Sequence, residues 1–391
     1  MKRLGLFFLL TFLLIGRNLP SGLIIFGLGP WDAVAIFISV NMLVKHNKMI
    51  GLSGGIIWPV IFFVFVSIIG IVANLRFGMR WNDILEAVRP FYGLSLVMIG
   101  SMIASKLNVT WIRHSLFISS CLVFFTAYLN PMNPDVLGFV QIWNPNVVGN
   151  MLIFHAILLL LIADNRINII TTIEVLIILF FAFFTYSKAT WLMICLVVPG
   201  VFIRQNRYAL SISFISVLVI ALVYADNVHY LYENVSTLVE SKITNSGFGK
   251  TASGGSSVGA RYGLALSGFL MFLNSPIFGV GLGNFEVVNI MLRPDLGRNF
   301  YVDDNANSLV FHYLGTTGLF GCLALLMIIY QFYRKAVKNA STTLAIMTLI
   351  YILISVNFQR EFFTSNTMWL FLGIFTCINK ERNDSFIRPG I

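Results

Sequence analysis

Ile56-Ile57-Trp58-Pro59-Val60-Ile61-Phe62-Phe63-Val64-Phe65-Val66-Ser67-Ile68-Ile69-Gly70-Ile71-Val72-Ala73 carries no charge and one hydroxyl. At about 1.5 Å per residue, a helix over the surrounding span 52–73 crosses the roughly 30 Å hydrocarbon core of a bilayer. Comparable runs recur near 4–16, 30–44, 84–105, 114–129, 147–163, 169–186, 189–203, 208–225, 308–333, 342–357 and 362–379. Each must be helical, because a segment isolated in lipid has to satisfy its own backbone hydrogen bonds. The expected fold is therefore all-α, a polytopic integral membrane protein of about 12 spans. Breaks at Pro20 and Pro30 lower the minimum to 10.

Composition agrees. Of 391 residues, 58% are hydrophobic and 11% charged, with mean hydropathy +0.85. Soluble domains carry roughly 25% charged residues, since their surfaces need polar cover. The net charge of +10 does not point to nucleic acid, because the basic residues are scattered between apolar runs and form no stripe. Cys121, Cys195, Cys322 and Cys377 each lie inside an apolar run, without CxxC or Cys/His metal spacing, and read as small packing residues. Met1-Lys2-Arg3 followed by Leu4 to Gly16 imitates a signal peptide. No small-x-small cleavage site follows, so an uncleaved first span is expected.

Alternating through twelve spans from an inner N-terminus places 15 of the 26 Lys and Arg residues inside and 11 outside, and five of those 11 fall in one long loop. Long loops weigh little in the positive-inside rule, so the short loops put both termini in the cytoplasm. The expected organisation is N-terminal membrane helices over 1–225, about nine spans. A large extracytoplasmic loop follows over 226–307, then C-terminal membrane helices over 308–379 and a cytoplasmic tail over 380–391. The loop passes through a flexible Gly/Ser-rich stretch before a helical pattern from Arg261 to Leu273 with a mixed face, expected to lie on the membrane surface.

Several groups of residues carry possible chemistry. Arg89, Lys188, Arg261, Arg293, Arg298 and Arg360 stand on the outer side, against the positive-inside trend. Snorkelling to lipid headgroups accounts for some; a ring of donors for phosphate oxygens is the functional alternative. Gly279-Val280-Gly281-Leu282-Gly283-Asn284 has dinucleotide-loop spacing but no βαβ context, so it reads as a tight turn approaching a ligand or a neighbouring helix. Asp303-Asp304-Asn305 precedes the span that holds Gly315-Thr316-Thr317-Gly318. Asp304 or Asn305 caps that helix, or one carboxylate serves as a general base. His312, two turns deeper, reads first as a buried polar contact. Asn144-Pro145-Asn146 and Tyr186-Ser187-Lys188-Ala189 are turns or helix caps by the same logic. No metal site and no cofactor is evident.

Together these residues resemble the O-antigen ligase and polymerase superfamily of bacterial polysaccharide assembly. The resemblance rests on Arg261 ahead of Ser275-Pro276 and the glycine run, on Tyr186-Ser187-Lys188-Ala189, and on Asn144-Pro145-Asn146 and Arg89-Pro90. The ligase pattern has His-Asn, nine residues, then Gly-x-x-Gly. Here Asp304 occupies the His position beside Asn305, which resembles the polymerases. The resemblance implies a GT-C-like glycosyltransferase in the bacterial inner membrane. It implies transfer of a growing glycan from undecaprenyl pyrophosphate to a new lipid-linked repeat unit, without metal. A chain-length regulator protein is a compatible partner. By the same resemblance Asp304 or Asp303 would act as base and Arg261 as a catalytic cation. Arg89, Lys188, Arg293, Arg298, Asn305, Arg360 and Asn146 would bind substrate. A ligase acting on the lipid A core and a lipid-linked-oligosaccharide flippase are the alternatives. His155 is the nearest candidate for the midplane polar site that a transporter needs.

Overall fold

A computed structural model describes residues 2–15, 34–41, 54–75, 81–129, 145–163, 169–185, 188–204, 257–296, 308–338, 340–358 and 365–387. Beyond a short helix at 34–41, the described residues form twelve helices. They are α1 (Lys2–Ile15), α2 (Gly54–Ala73), α3 (Trp81–Ala104), α4 (Val109–Leu129), α5 (Pro145–Ala163), α6 (Ile169–Phe183), α7 (Lys188–Arg204), α8 (Ser257–Asn274), α9 (Phe285–Leu296), α10 (Leu309–Ala336), α11 (Thr342–Phe358) and α12 (Asn366–Ile387). Four contain stretches long and apolar enough to cross a membrane: Gly55–Ala73, Glu86–Ala104, Val109–Thr126 and Leu309–Ala336. The expected span at 208–225 lies outside the described residues. The quoted stretch forms α2, with Trp58, Phe65 and Val72 exposed on one side and Ile56, Val60 and Phe63 buried on the other. In a protein whose outer solvent is lipid, that division separates a lipid-facing side from a packing side and requires no polar face.

Small residues decide which helices meet. A Cβ on Gly100 would collide with the Leu370 carbonyl, and one on Gly373 with the Val97 carbonyl. Helices α3 and α12 therefore pack backbone against backbone, as small residues allow within membranes. The Ser101 hydroxyl donates to the Gly373 carbonyl at 2.9 Å across this seam. The pairings Gly93–Trp369, Val97–Gly373 and Gly100–Ile374 ascend together, so the two helices run parallel. Helix α2 runs against α10, with Gly55 beside Gln331 and Gly70 beside Thr316. Several buried polar groups pair across the bundle. His155 of α5 sits between Ser120 of α4, 2.8 Å away, and Thr367 of α12, 3.3 Å away. That places His155 as a fully buried link between three helices. Arg113 of α4 bridges Glu174 of α6 at 3.0 Å, and His114 approaches the same carboxylate at 3.2 Å. The four cysteines are free thiols.

Two expectations need correction. The helix expected on the membrane surface, α8, instead packs along α10: Gly268 lies against the Phe311 carbonyl and the Gly315 backbone. The small residues Ser267 and Gly268, which gave its face a mixed character, are the ones that permit this close approach. Helix α9, absent from the expectation, returns beside α8, with the Ser267 hydroxyl donating to the Asn289 side chain at 2.7 Å. The hairpin has its own small core of Leu264, Met271, Val280, Phe285 and Val288. The second correction concerns the cap of α10. It is Ser308, whose hydroxyl accepts from the Phe311 N–H at 3.4 Å, and not Asp304 or Asn305. Ser308 stands immediately before the first helical residue, where a side-chain oxygen reaches the orphan N–H groups of the first turn.

The glycine motifs lock the hairpin into α10. Gly318 has φ 65° and ψ −165° and breaks the helix. Freed backbone groups there are satisfied by the turn between α8 and α9. Val280 N–H donates to the Gly315 carbonyl at 2.9 Å, Gly281 N–H to the Thr316 carbonyl at 2.9 Å, and Leu319 N–H to the Pro276 carbonyl at 2.9 Å. From α2, the Asn74 side chain donates to the Gly279 carbonyl at 3.1 Å. Irregular backbone at membrane depth is tolerated where protein buries it and pairs its polar groups, and the two motifs supply those pairs to each other. Of the two readings of the glycine run, approach to a neighbouring helix is the one observed.

Candidate functional site

Helices α3, α10 and α12 begin at the same end of the bundle, and a cleft opens there between them. Its walls include Glu86, Arg89 and Tyr92 from α3, Tyr313 from α10, and Asn366 and Trp369 from α12, around a small cavity of ≈ 10 Å³. That is room for about one water-sized group, so the cleft admits a hydroxyl or a phosphate oxygen of a ligand rather than a whole headgroup. Its shape follows from the local sequence. The α3–α12 seam holds Trp369 against Gly93, where a Cβ would collide with the indole. Pro90 sits inside α3, one residue after Arg89.

The electrostatics are unusual for an apolar bundle. Glu86 begins the apolar stretch Glu86–Ala104, and its side chain is 20% exposed. His312, one residue before Tyr313, is wholly buried, with its Nε2 3.8 Å from a Glu86 carboxylate oxygen. That is beyond a direct hydrogen bond but within electrostatic reach. The His312 ring also packs on Phe285 of α9, with centroids 5.3 Å apart, which ties the hairpin to this end of α10. Asn366, the first residue of α12, is 8% exposed, and its Nδ2 has no hydrogen-bond partner among the described residues. Ionisable groups are expensive in lipid and face bundle interiors or polar cavities, where they mark functional sites. Glu86 and Arg89 at one cleft satisfy that description, and the polar Asn366 lines the cleft with them.

Of the residues singled out from sequence, Arg89 is the one whose side chain the structure places in this cleft. Arg261 falls near the start of α8, Arg293 in α9, Lys188 at the start of α7 and Asn146 at the start of α5. Asp303, Asp304, Asn305, Arg298 and Arg360 lie outside the described residues. Sequence reading did not single out Glu86, Asn366, Tyr92 or Trp369. For Glu86 the signal was available, because a carboxylate inside an otherwise apolar span is itself a pointer. For Asn366 and Trp369 it was not, because only the α3–α12 packing brings them beside Arg89.

Residues 173–326 match the family model described as O-Antigen ligase. The matched segment runs from α6 through most of α10. It takes in Lys188, Arg261, the glycine turn, Arg293, Asp303 to Asn305 and Gly315 to Gly318, and ends short of α12. No curated protein matches the chain. The match covers less than half of the chain, so similarity to the O-antigen ligase family is shown over residues 173–326.

Proposed function

We propose that this protein is a polymerase of surface polysaccharide. It moves a growing glycan from undecaprenyl pyrophosphate onto a fresh lipid-linked repeat unit at the outer face of the bacterial inner membrane. The observation that carries the reading is the cleft at the shared N-terminal end of α3, α10 and α12, where Arg89 lines a polar recess in a largely apolar bundle. The positive-inside count assigns that end to the cell exterior, where no nucleotide sugar is available and an activated donor must arrive on a lipid. A departing lipid pyrophosphate then needs fixed cations. A planar guanidinium meets phosphate oxygens two at a time, and in a site shielded from water such a donor stabilises developing charge strongly.

Arg261, Arg293, Lys188 and Arg360 are proposed to join Arg89 around the diphosphate, with Arg298, Asn305 and Asn146 as further binding residues. Asp304 or Asp303 is proposed as the base that takes the proton of the attacking hydroxyl. Asp304 precedes the α10 cap Ser308 by four residues, so chain length alone tethers it within about 15 Å of the start of that helix. The carboxylate at Asp304, where ligases have His, favours polymerase over ligase. The description of the matched family favours ligase.

Deletion of the gene separates the two. Surface lipid capped with a single repeat unit supports the polymerase. Full-length chains left on undecaprenyl carrier support the ligase. Replacement of Arg89 and of Asp304 by Ala, each at normal expression, is expected to abolish the ladder of long chains. A surviving ladder in both mutants refutes the site.

A further inference from the structure

The cleft holds more polar chemistry than a phosphate needs. A phosphate site calls for donors and positive charge, yet Glu86 brings a carboxylate to the same wall as Arg89. Carboxylates repel phosphate and accept hydrogen bonds from hydroxyls. Beside it, Asn366 is more than nine-tenths buried, with an amide donor that has no acceptor among the described residues. A buried donor without an acceptor is costly and rare, and a cavity-facing one is satisfied by a ligand. Tyr92, Tyr313 and Trp369 complete the walls with aromatic groups. A carboxylate acceptor, an amide donor and aromatic carbon around a small cleft form the recognition set for a sugar ring, whose hydroxyls both donate and accept and whose C–H faces are apolar.

We propose that Glu86 and Asn366 bind hydroxyl groups of the sugar next to the lipid diphosphate, while Arg89 holds the phosphate. His312 acts as a positioning residue. It is wholly buried between Phe285 and Tyr313, and its Nε2 stands 3.8 Å from the Glu86 carboxylate. From there it restrains Glu86 on the cleft wall without touching the sugar. The inference rests on the polymerase reading and adds to it a subsite that distinguishes a sugar-bearing lipid from the bare diphosphate.

The test compares two probes on the full-length protein in detergent by native mass spectrometry. One probe is undecaprenyl pyrophosphate. The other is the same lipid carrying one repeat unit, extracted from the producing strain after deletion of this gene. Wild type is expected to bind the sugar-bearing lipid more tightly than the bare one. Glu86→Gln, which keeps the shape and removes the charge, and Asn366→Leu, which removes the donor, should each weaken the sugar-bearing probe about tenfold or more. Neither should change binding of the bare lipid. His312→Phe should lose the same sugar-dependent increment, and His312→Gln, which retains an N–H donor, should recover part of it. Arg89→Ala should weaken both probes.

An equal loss for both probes in Glu86→Gln would reduce Glu86 to a support for Arg89 and overturn the assignment. So would unchanged binding in Glu86→Gln and Asn366→Leu, or wild type that binds the two lipids alike; in those cases the polymerase reading stands. Wild type that binds neither lipid overturns that reading together with this one.

Discussion

Gly318→Ala tests the interlock between α10 and the α8–α9 turn. The residue has φ 65° and ψ −165°, a conformation essentially reserved for glycine, and an added Cβ would meet the Ile277 carbonyl. Holding alanine there costs roughly 1–3 kcal/mol in backbone strain alone. The helix can instead straighten, so that the Gly315 and Thr316 carbonyls regain partners within α10. The turn then loses them. Val280 N–H, Gly281 N–H and the Pro276 carbonyl, each now bonded at 2.9 Å, are left without partners in apolar surroundings. At about 1–3 kcal/mol for each orphaned group, partial rearrangement brings the expected loss to roughly 3–6 kcal/mol. A thermal unfolding midpoint of the purified full-length chain, with limited proteolysis of the α8–α9 hairpin, reads the effect. The midpoint should fall by several degrees and the hairpin should become cleavable. Gly5→Ala is the control, since nothing lies within 4 Å of a Cβ there; alanine should leave the midpoint unchanged or slightly raised. A Gly318→Ala protein that melts with wild type and keeps a protected hairpin would refute the interlock.

Two further outcomes follow from buried polar contacts away from the cleft. Glu174→Ala strands Arg113, whose side chain is 13% exposed and which bridges Glu174 at 3.0 Å. It should destabilise the fold by roughly 3–5 kcal/mol, and the double variant with Arg113→Ala should be less destabilised than the single one, as a lower-then-recovered unfolding midpoint shows. His155→Ala empties a fully buried site and leaves Ser120 and Thr367 without their shared partner, for about 2–4 kcal/mol. Polymer made per folded molecule should stay at the wild-type level, measured by ladder intensity against protein in the membrane; abolished activity with an intact midpoint would make His155 functional after all.

The sequence alone determined the solvent and the class of fold. Eighteen uncharged residues over 56–73, and apolar runs like them, leave helix as the conformation that closes its own hydrogen bonds in lipid, and that inference needs no knowledge of what packs where. Hydropathy also located most helices to within a few residues, since the change from apolar to polar residues follows the membrane boundary. Glycine spacing likewise signalled backbone that turns tightly or comes close to another element. Neither signal could supply a partner. That Gly279 meets Thr316, or that Gly268 lies on Phe311, depends on contacts between residues far apart in the chain. The face of α8 is a case in point. In sequence, a mixed face of small and apolar residues reads as interfacial; in the structure the same small residues admit the backbone of α10, because packing between helices rewards closeness more than hydrophobicity. The candidate site divides in the same way. Arg89 drew notice as a cation against the charge trend, a one-dimensional signal. Glu86 beside His312, and Asn366 on the same cleft as Glu86, became a site only when α3, α10 and α12 converged, because a cleft belongs to three surfaces and no single stretch of chain encodes all of them.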